Sequence, residues 1–195
     1  MYQLLSGLLS EVTRKDEFSI VILGLDAAGK TTFLERVKTV FSDTPGLPPE
    51  KIHATIGQNI GRITLSSSVL QFWDLGGQRD LRSLWPKYYN DCHAVCFIVD
   101  STDSARMEEC WTIFDSIVTD RRIEGVPTLV LANKMDQTAA MRIEQIKEIF
   151  NKHVDKMNVS EAAVMPISAL KGEGVVQAVN WLLIRVQNSR RIQKS

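Results

Sequence analysis

Apolar positions along the chain fall into two periods. Phe18-Ser19-Ile20-Val21-Ile22-Leu23 is a nearly unbroken apolar run that stops at Gly24; a strand buried on both faces has this pattern. From Lys30 to Phe41 the spacing becomes helical, with Phe33, Leu34, Val37, Val40 and Phe41 on one face. The stretch Ser42-Asp43-Thr44-Pro45-Gly46-Leu47-Pro48-Pro49 holds three of the six prolines and is the strongest loop signal in the chain. Apolar runs at 59–66 and 69–74, joined by Ser66-Ser67-Ser68, predict an antiparallel hairpin. Beyond it, strands at 94–100, 127–132 and 163–167 alternate with helices at 104–119, 143–153 and 174–188. The helix at 104–119 carries Met107, Trp111, Phe114 and Val118 on one face. About six strands and five helices in this order predict an α/β fold, with a mostly parallel sheet flanked on both faces and one antiparallel hairpin strand.

The first residues carry a separate pattern. Met1, Leu4, Leu5, Leu8, Leu9 and Val12 recur at helical spacing, with Gln3, Ser6, Ser10 and Glu11 opposite. An amphipathic helix of about three turns is expected there, and its basic neighbours are only Arg14 and Lys15. The expected organisation is therefore an N-terminal helix and linker at 1–17, one globular domain at 18–188, and a short basic tail at 189–195.

Composition narrows the function classes. The 195 residues suit one domain with a full core. Lys plus Arg equals Asp plus Glu at 23 each, which argues against a partner read through nucleic-acid phosphates. No apolar run of about 18 residues is present to span a membrane. Cys92, Cys96 and Cys110 are an odd set without zinc-ligand spacing, so buried reduced thiols of a cytoplasmic protein are expected. No basic stretch and small-residue cleavage site precede Glu11, so a secretory signal is not expected.

Gly24-Leu25-Asp26-Ala27-Ala28-Gly29-Lys30-Thr31 fits G-x-x-x-x-G-K-[ST], and it lies between a buried strand and a helix, where the mechanism needs it. Its backbone N–H groups and the helix N-terminus can cradle phosphate oxygens. Lys30 is placed to reach the β- and γ-phosphates, and the Thr31 hydroxyl to bind Mg²⁺. About 100 residues on, Asn133-Lys134-Met135-Asp136 follows the apolar strand Thr128-Leu129-Val130-Leu131-Ala132. The Asp136 carboxylate can accept from guanine N1–H and N2–H₂ together, a donor pair that adenine lacks. Asn133 would brace the loops, the Lys134 stem would cover the base, and Ser168-Ala169 would offer a backbone N–H to guanine O6. In Trp73-Asp74-Leu75-Gly76-Gly77-Gln78, Asp74 can hold the Mg²⁺ shell through water. Gly77 can bring its N–H to a γ-phosphate, and Gln78 can orient an attacking water. Thr55 is the candidate second protein ligand for Mg²⁺.

These residues resemble a small GTPase of the Ras superfamily, specifically of the Arf/Arf-like family. The resemblance rests on Gly24 to Thr32, on Trp73 to Gln78 and on Leu81-Arg82-Ser83-Leu84-Trp85-Pro86-Lys87-Tyr88-Tyr89; it covers about residues 1–188, and within the family it points to the Arf-related branch. It implies the P-loop GTPase fold, GTP/GDP with Mg²⁺, and an exchange factor, a GTPase-activating protein and effectors as partners. It also implies a monomer that cycles from cytoplasm to trans-Golgi membranes, its first helix docked with GDP and released with GTP. Effectors would be met by a surface including Trp73, Tyr88, Ile56 and Gln58. Two positions depart from the family pattern: Ala54 stands where Pro is usual before the Mg²⁺ threonine, and Gln58 where Phe is usual three residues after it. The Pro-rich loop is several residues longer than is typical. Tyr2 replaces the glycine that Arf proteins use for myristoylation, and the branch implies an acetylated Met1 bound by a Golgi membrane receptor instead. Two other readings stay open at this point: an adaptor that binds GTP with negligible hydrolysis, and a P-loop kinase. A kinase would need an arginine-rich lid, and no insertion of that kind is found.

Overall fold

The computed structural model describes residues 15–42, 46–66, 68–151 and 161–189. The expected N-terminal amphipathic helix, with Leu4, Leu5, Leu8 and Leu9, lies outside them, as does the tail from 190. Six strands form one sheet: β1 (Asp16–Leu23), β2 (Gln58–Thr64), β3 (Ser68–Leu75), β4 (Ala94–Asp100), β5 (Thr128–Asn133) and β6 (Ala162–Pro166). Their spatial order is β2-β3-β1-β4-β5-β6. Only the β2–β3 pair is antiparallel, and the other pairs are parallel. The helices are α1 (Lys30–Phe41), α2 (Met107–Val118), α3 (Ile143–Asn151) and α4 (Val175–Asn188), with a ten-residue 3-10 helix over Arg79–Tyr88 as the fifth long helical segment. The α/β fold expected from the sequence, six strands with one antiparallel pair and five flanking helices, is the fold observed.

Alternation along β1 divides the core. Ile20 and Ile22 join Phe33, Leu34, Phe72, Val179 and Leu182 on the α1/α4 side. Val21 and Leu23 face Phe97, Phe114, Phe150 and Trp85 on the other, as period-two geometry requires. On that second side Phe114 stacks with Phe97 at 5.2 Å and Phe150 at 5.1 Å between ring centroids. Cys92, Cys96 and Cys110 are buried and none forms a disulfide; burial pushes the Cys110 thiol up to about 12 and raises Cys96 as well.

Three local expectations are refined. The helix expected at 104–119 opens as a 3-10 turn, Ser104–Arg106, held by the Asp103 side chain accepting from the Arg106 N–H, before α2 begins. Val40 shares the apolar face of α1 but is 45% exposed, because it sits in the last turn, where the chain leaves for the Pro-rich loop. Ser68 is not a turn residue: it opens β3 and pairs with Asp16. The fifth helical segment, the 3-10 helix Arg79–Tyr88, had no range assigned from the sequence.

β1 sits between β3 and β4, so the chain leaves it toward one edge of the sheet and later returns to build the other. The crevice at the C-terminal end of β1 is the place where open α/β sheets bind ligands.

Candidate nucleotide site

The phosphate loop follows β1 directly, and Gly29 caps α1 in a left-handed conformation. Among the described residues, the non-glycine residues with positive φ are Ala27 (61°) and Lys134 (65°). Both lie in the loops that the sequence singles out, and local backbone strain concentrates at functional sites. A cleft of about 410 Å³ opens beside the loop, lined by Asp26, Ala27, Gly29 to Thr32, Ile52 to Thr55, Gly77 and Gln78. Leu25 and Ala28 are buried beneath it. Lys30 is 6% exposed, and its ammonium donates to the Leu25 carbonyl at 2.7 Å. Burial lowers its pKa to about 8, with Asp74 and Asp26 pulling the other way. Gly77 packs on this loop so closely that a Cβ there would stand 2.6 Å from the Asp26 nitrogen. Only glycine allows the approach.

At the floor of the cleft three side chains converge from separate elements. Thr31 Oγ1, on α1, donates to Asp74 Oδ2, on β3, at 2.7 Å. It also lies 2.8 Å from Thr55 Oγ1, and Thr55 Oγ1 reaches Asp74 Oδ2 at 3.3 Å. Asp74 is fully buried, and its other oxygen, Oδ1, has no hydrogen-bond partner. Burial raises its pKa, although Thr31, Lys30 and Thr55 each oppose the shift. An orphaned carboxylate oxygen beside two hydroxyls is a donor set that fits a hard cation holding waters and sharing substrate phosphates, as Mg²⁺ does. Gln78 is exposed at the rim, immediately before the 3-10 helix.

The second loop system is built around Asn133, 2% exposed at the end of β5. Its Nδ2 donates to the Ala28 carbonyl at 2.8 Å, and its Oδ1 accepts from the Ala169 N–H at 2.9 Å. One side chain thus ties the phosphate loop to the loop after β6. Its own carbonyl accepts from Ser101 Oγ at 2.6 Å. Lys134 pairs with Asp100 at 2.5 Å. Burial alone would raise the Asp100 pKa, but Lys134 and Thr102 outweigh it and hold the carboxyl below its ordinary value. Ser168 is buried and Asp136 half-buried. Thr32 opens onto the cleft, while Asn133, Lys134, Asp136, Ser168 and Ala169 lie beyond its lining and join it through Asn133.

Sequence reasoning missed the bracing residues. Arg82 donates to the Gly77 carbonyl at 2.8 Å and pairs with Glu109 at 2.7 Å. Arg106 holds Asp26 at 3.1 Å. Arg36 donates to the carbonyls of Ala169, at 3.2 Å, and Leu170. Trp85 Nε1 donates to the Gly76 carbonyl at 3.0 Å. None belongs to a phosphate or base motif, so only the tertiary structure assigns them. On the outer face, Trp73 and Tyr88 stand 5.7 Å apart between ring centroids, and the Tyr88 hydroxyl donates to Gln58 Oε1. Ile56, two residues before Gln58, is 87% exposed. The glutamine at the departed aromatic position thus caps the pair with a polar contact.

The ADP-ribosylation factor family model matches residues 3–186. The chain belongs to that family. As an Arf-family protein it is 47% identical over 192 residues to ADP-ribosylation factor-like protein 3 of Saccharomyces cerevisiae, covering 98% of this chain and 96% of the relative. It is 46% identical over 184 residues to ADP-ribosylation factor-related protein 1 of Homo sapiens, covering 94% and 92%. Among solved structures, the Arl6 BBS3 small GTPase of Trypanosoma brucei, bound to the nucleotide analogue GppNp, matches with a TM-score of 0.77 at 29% identity, covering 89% of this chain and 99% of that one. Arf-family small GTPases bind GTP and GDP, typically with Mg²⁺, and hydrolyse GTP. They generally work with exchange factors, activating proteins and effectors, and they generally cycle on membranes. Among the described residues no helix is long and apolar enough to cross a membrane.

Proposed function

We propose that this chain is a slow GTP/GDP switch regulating membrane traffic at the Golgi. The convergence of Thr31, Thr55 and Asp74, with Asp74 Oδ1 unpartnered, carries the reading of the site. Residues 24–32 hold the phosphates. Thr31 and Thr55 would ligate Mg²⁺, and Asp74 would hold its shell through water. Asp136 selects guanine, with Asn133, Lys134, Ser168 and Ala169 shaping the base loops. Mg²⁺, when bound, neutralises charge on the phosphates. Gln78 orients a water that attacks the γ-phosphorus while the bond to the β–γ bridging oxygen breaks. The segment 48–58 contains no arginine that would offer a positive charge to the transferred group in cis. Intrinsic turnover is therefore slow, and an activating protein is expected to add about 10³–10⁵ in rate. In a single-turnover assay, Gln78→Leu should abolish activator-stimulated hydrolysis while GTP binding persists. Equal affinity for ATP and GTP, or unchanged hydrolysis in Gln78→Leu, overturns the assignment.

Membrane attachment rests on the first helix, in which Tyr2 stands where the family's myristoylated glycine would be. One short helix with two basic neighbours is a weak lipid anchor, so a Golgi receptor supplies the remaining affinity. Release of the helix in the GTP form makes attachment nucleotide-dependent. Leu5→Ala/Leu8→Ala should turn a membrane-bound Gln78→Leu variant cytosolic in cell fractionation. Retention on Golgi membranes would sink this part of the proposal.

A further inference from the structure

The segment that carries Thr55 is fastened outside the lining of the nucleotide cleft, one turn further along α1 than Thr31. Glu35 is a charged residue only 3% exposed, which requires partners. Its Oε2 accepts from the Leu47 N–H at 2.7 Å, at the end of the Pro-rich loop. Its Oε1 takes the Lys38 ammonium at 2.6 Å, and the Asn59 side-chain amide reaches the same oxygen at 3.5 Å. Leu47 and Asn59 flank the stretch 48–58, so one carboxylate meets both ends of it. Asn59 also pairs in register with Asp74 across β2 and β3. The loop seats tightly: the Gly46 N–H donates to Thr39 Oγ1 at 3.1 Å, and a Cβ on Gly46 would stand 2.8 Å from the Glu35 carbonyl carbon. Burial alone would raise the Glu35 pKa, but Lys38, the Leu47 N–H and Asn59 outweigh it and keep the carboxyl below its ordinary value. The clamp is thus built for the ionised form.

We propose that Glu35 is a positioning residue that pins both ends of segment 48–58 and thereby seats the Thr55 hydroxyl against Thr31 and Asp74. It does not line the nucleotide cleft and acts through Thr55. The long Pro-rich loop gains a purpose from this: it supplies the Leu47 N–H as the upstream anchor. The inference rests on the GTP/Mg²⁺ reading of the site and names what holds that site together.

The test compares release of a fluorescent non-hydrolysable GTP analogue and of fluorescent GDP from the full chain, with Mg²⁺ and with chelator. Glu35→Ala should speed analogue release in Mg²⁺ on the order of tenfold, the scale of losing charge-assisted hydrogen bonds, and leave GDP release within about twofold. Glu35→Gln, which keeps one acceptor, should restore most of the difference. In a Thr55→Ala background, Glu35→Ala should add little, because both changes act on one hydroxyl. Gly46→Ala leaves the carboxylate intact but lifts the loop, and should reproduce the effect if Glu35→Ala does not fold. Equal acceleration of both nucleotides, or full additivity with Thr55→Ala, would overturn the clamp. Failure of the parent chain itself to retain the triphosphate analogue more tightly in Mg²⁺ than in chelator would instead overturn the functional reading beneath it.

Discussion

The base-loop end and the metal end of the nucleotide site are built on opposite plans. At the base end each polar group of Asn133 is spent on protein: Nδ2 on Ala28, Oδ1 on Ala169, and the carbonyl on Ser101. Lys134 is fastened to Asp100, and Arg36 braces the loop after β6 from behind. At the metal end Asp74 Oδ1 is left over, Thr55 reaches its carboxylate at only 3.3 Å, and the residues around it, His53, Ala54 and Ile56, are exposed. A fully satisfied buried network is rigid, whereas a partly satisfied one can hold two arrangements of similar energy. The first suits a base that is the same in GTP and GDP. The second suits a γ-phosphate that is present in only one of them.

Breaking the closed end should have the largest effect. Asn133→Ala strands the Ala28 carbonyl and the Ala169 N–H, both buried, at a cost of about 2–5 kcal/mol. Thermal denaturation should shift down by roughly 5–15 °C, and GTP and GDP should weaken together. Selective loss of GTP alone would contradict the comparison.

Lys30 lies between the two ends and gives the next effect. Its pKa falls from 10.5 to about 8, so between those values the unfolded chain binds more protons than the folded one, and stability rises with pH across that window. Below pH 8 the buried ammonium costs the full difference, on the order of 3 kcal/mol. With nucleotide removed, Lys30→Met should therefore be more stable than the parent at pH 7, and the gap should close toward pH 10. Denaturant titrations of both proteins at several pH values check the sign.

The smallest change in stability belongs to the open end. Thr55→Ala removes a half-buried hydroxyl and should alter stability by less than about 1 kcal/mol, while weakening GTP relative to GDP. A large loss of stability would mean that the Thr55 loop is as tightly built as the base loop.

Features whose physics is local were legible in the sequence. The run Phe18 to Leu23 ends at a glycine-rich turn that no ordinary strand-to-helix connection requires, and the loop formed where that chemistry placed it. The hairpin followed from two apolar runs, but its register, with Asn59 opposite Asp74, is seen only in the structure, because Ser68 belongs to β3 and not to the turn. The 3-10 helix Arg79–Tyr88 was hidden because Pro86 in its interior reads as a helix breaker, although Leu81, Leu84, Trp85 and Tyr88 keep helical spacing. It is held by long-range contacts such as Trp85 to Gly76. Glu35, Arg36, Arg82 and Arg106 read as ordinary solvated charges on a helix or loop. Apart from the i,i+3 neighbours Lys38 and Asp103, their partners lie 5 to 134 positions away in the chain, and residue spacing carries no signal of that.

The buried cysteines give the molecule a built-in clock. Alkylating reagents attack the thiolate, and burial keeps Cys96 and Cys110 protonated and out of reach in the folded chain. Cys96 lies in the central strand β4 and faces the α1/α4 side of the sheet, whereas Cys110 lies on α2 on the other side, so labelling either should require the sheet to separate from the helices that cover that side. The rate at which an added alkylating reagent consumes these thiols then counts deep openings of the fold. Any nucleotide that binds only the closed form slows that count in proportion to its occupancy, and its grip can be timed by mass spectrometry on the unmutated, unlabelled protein.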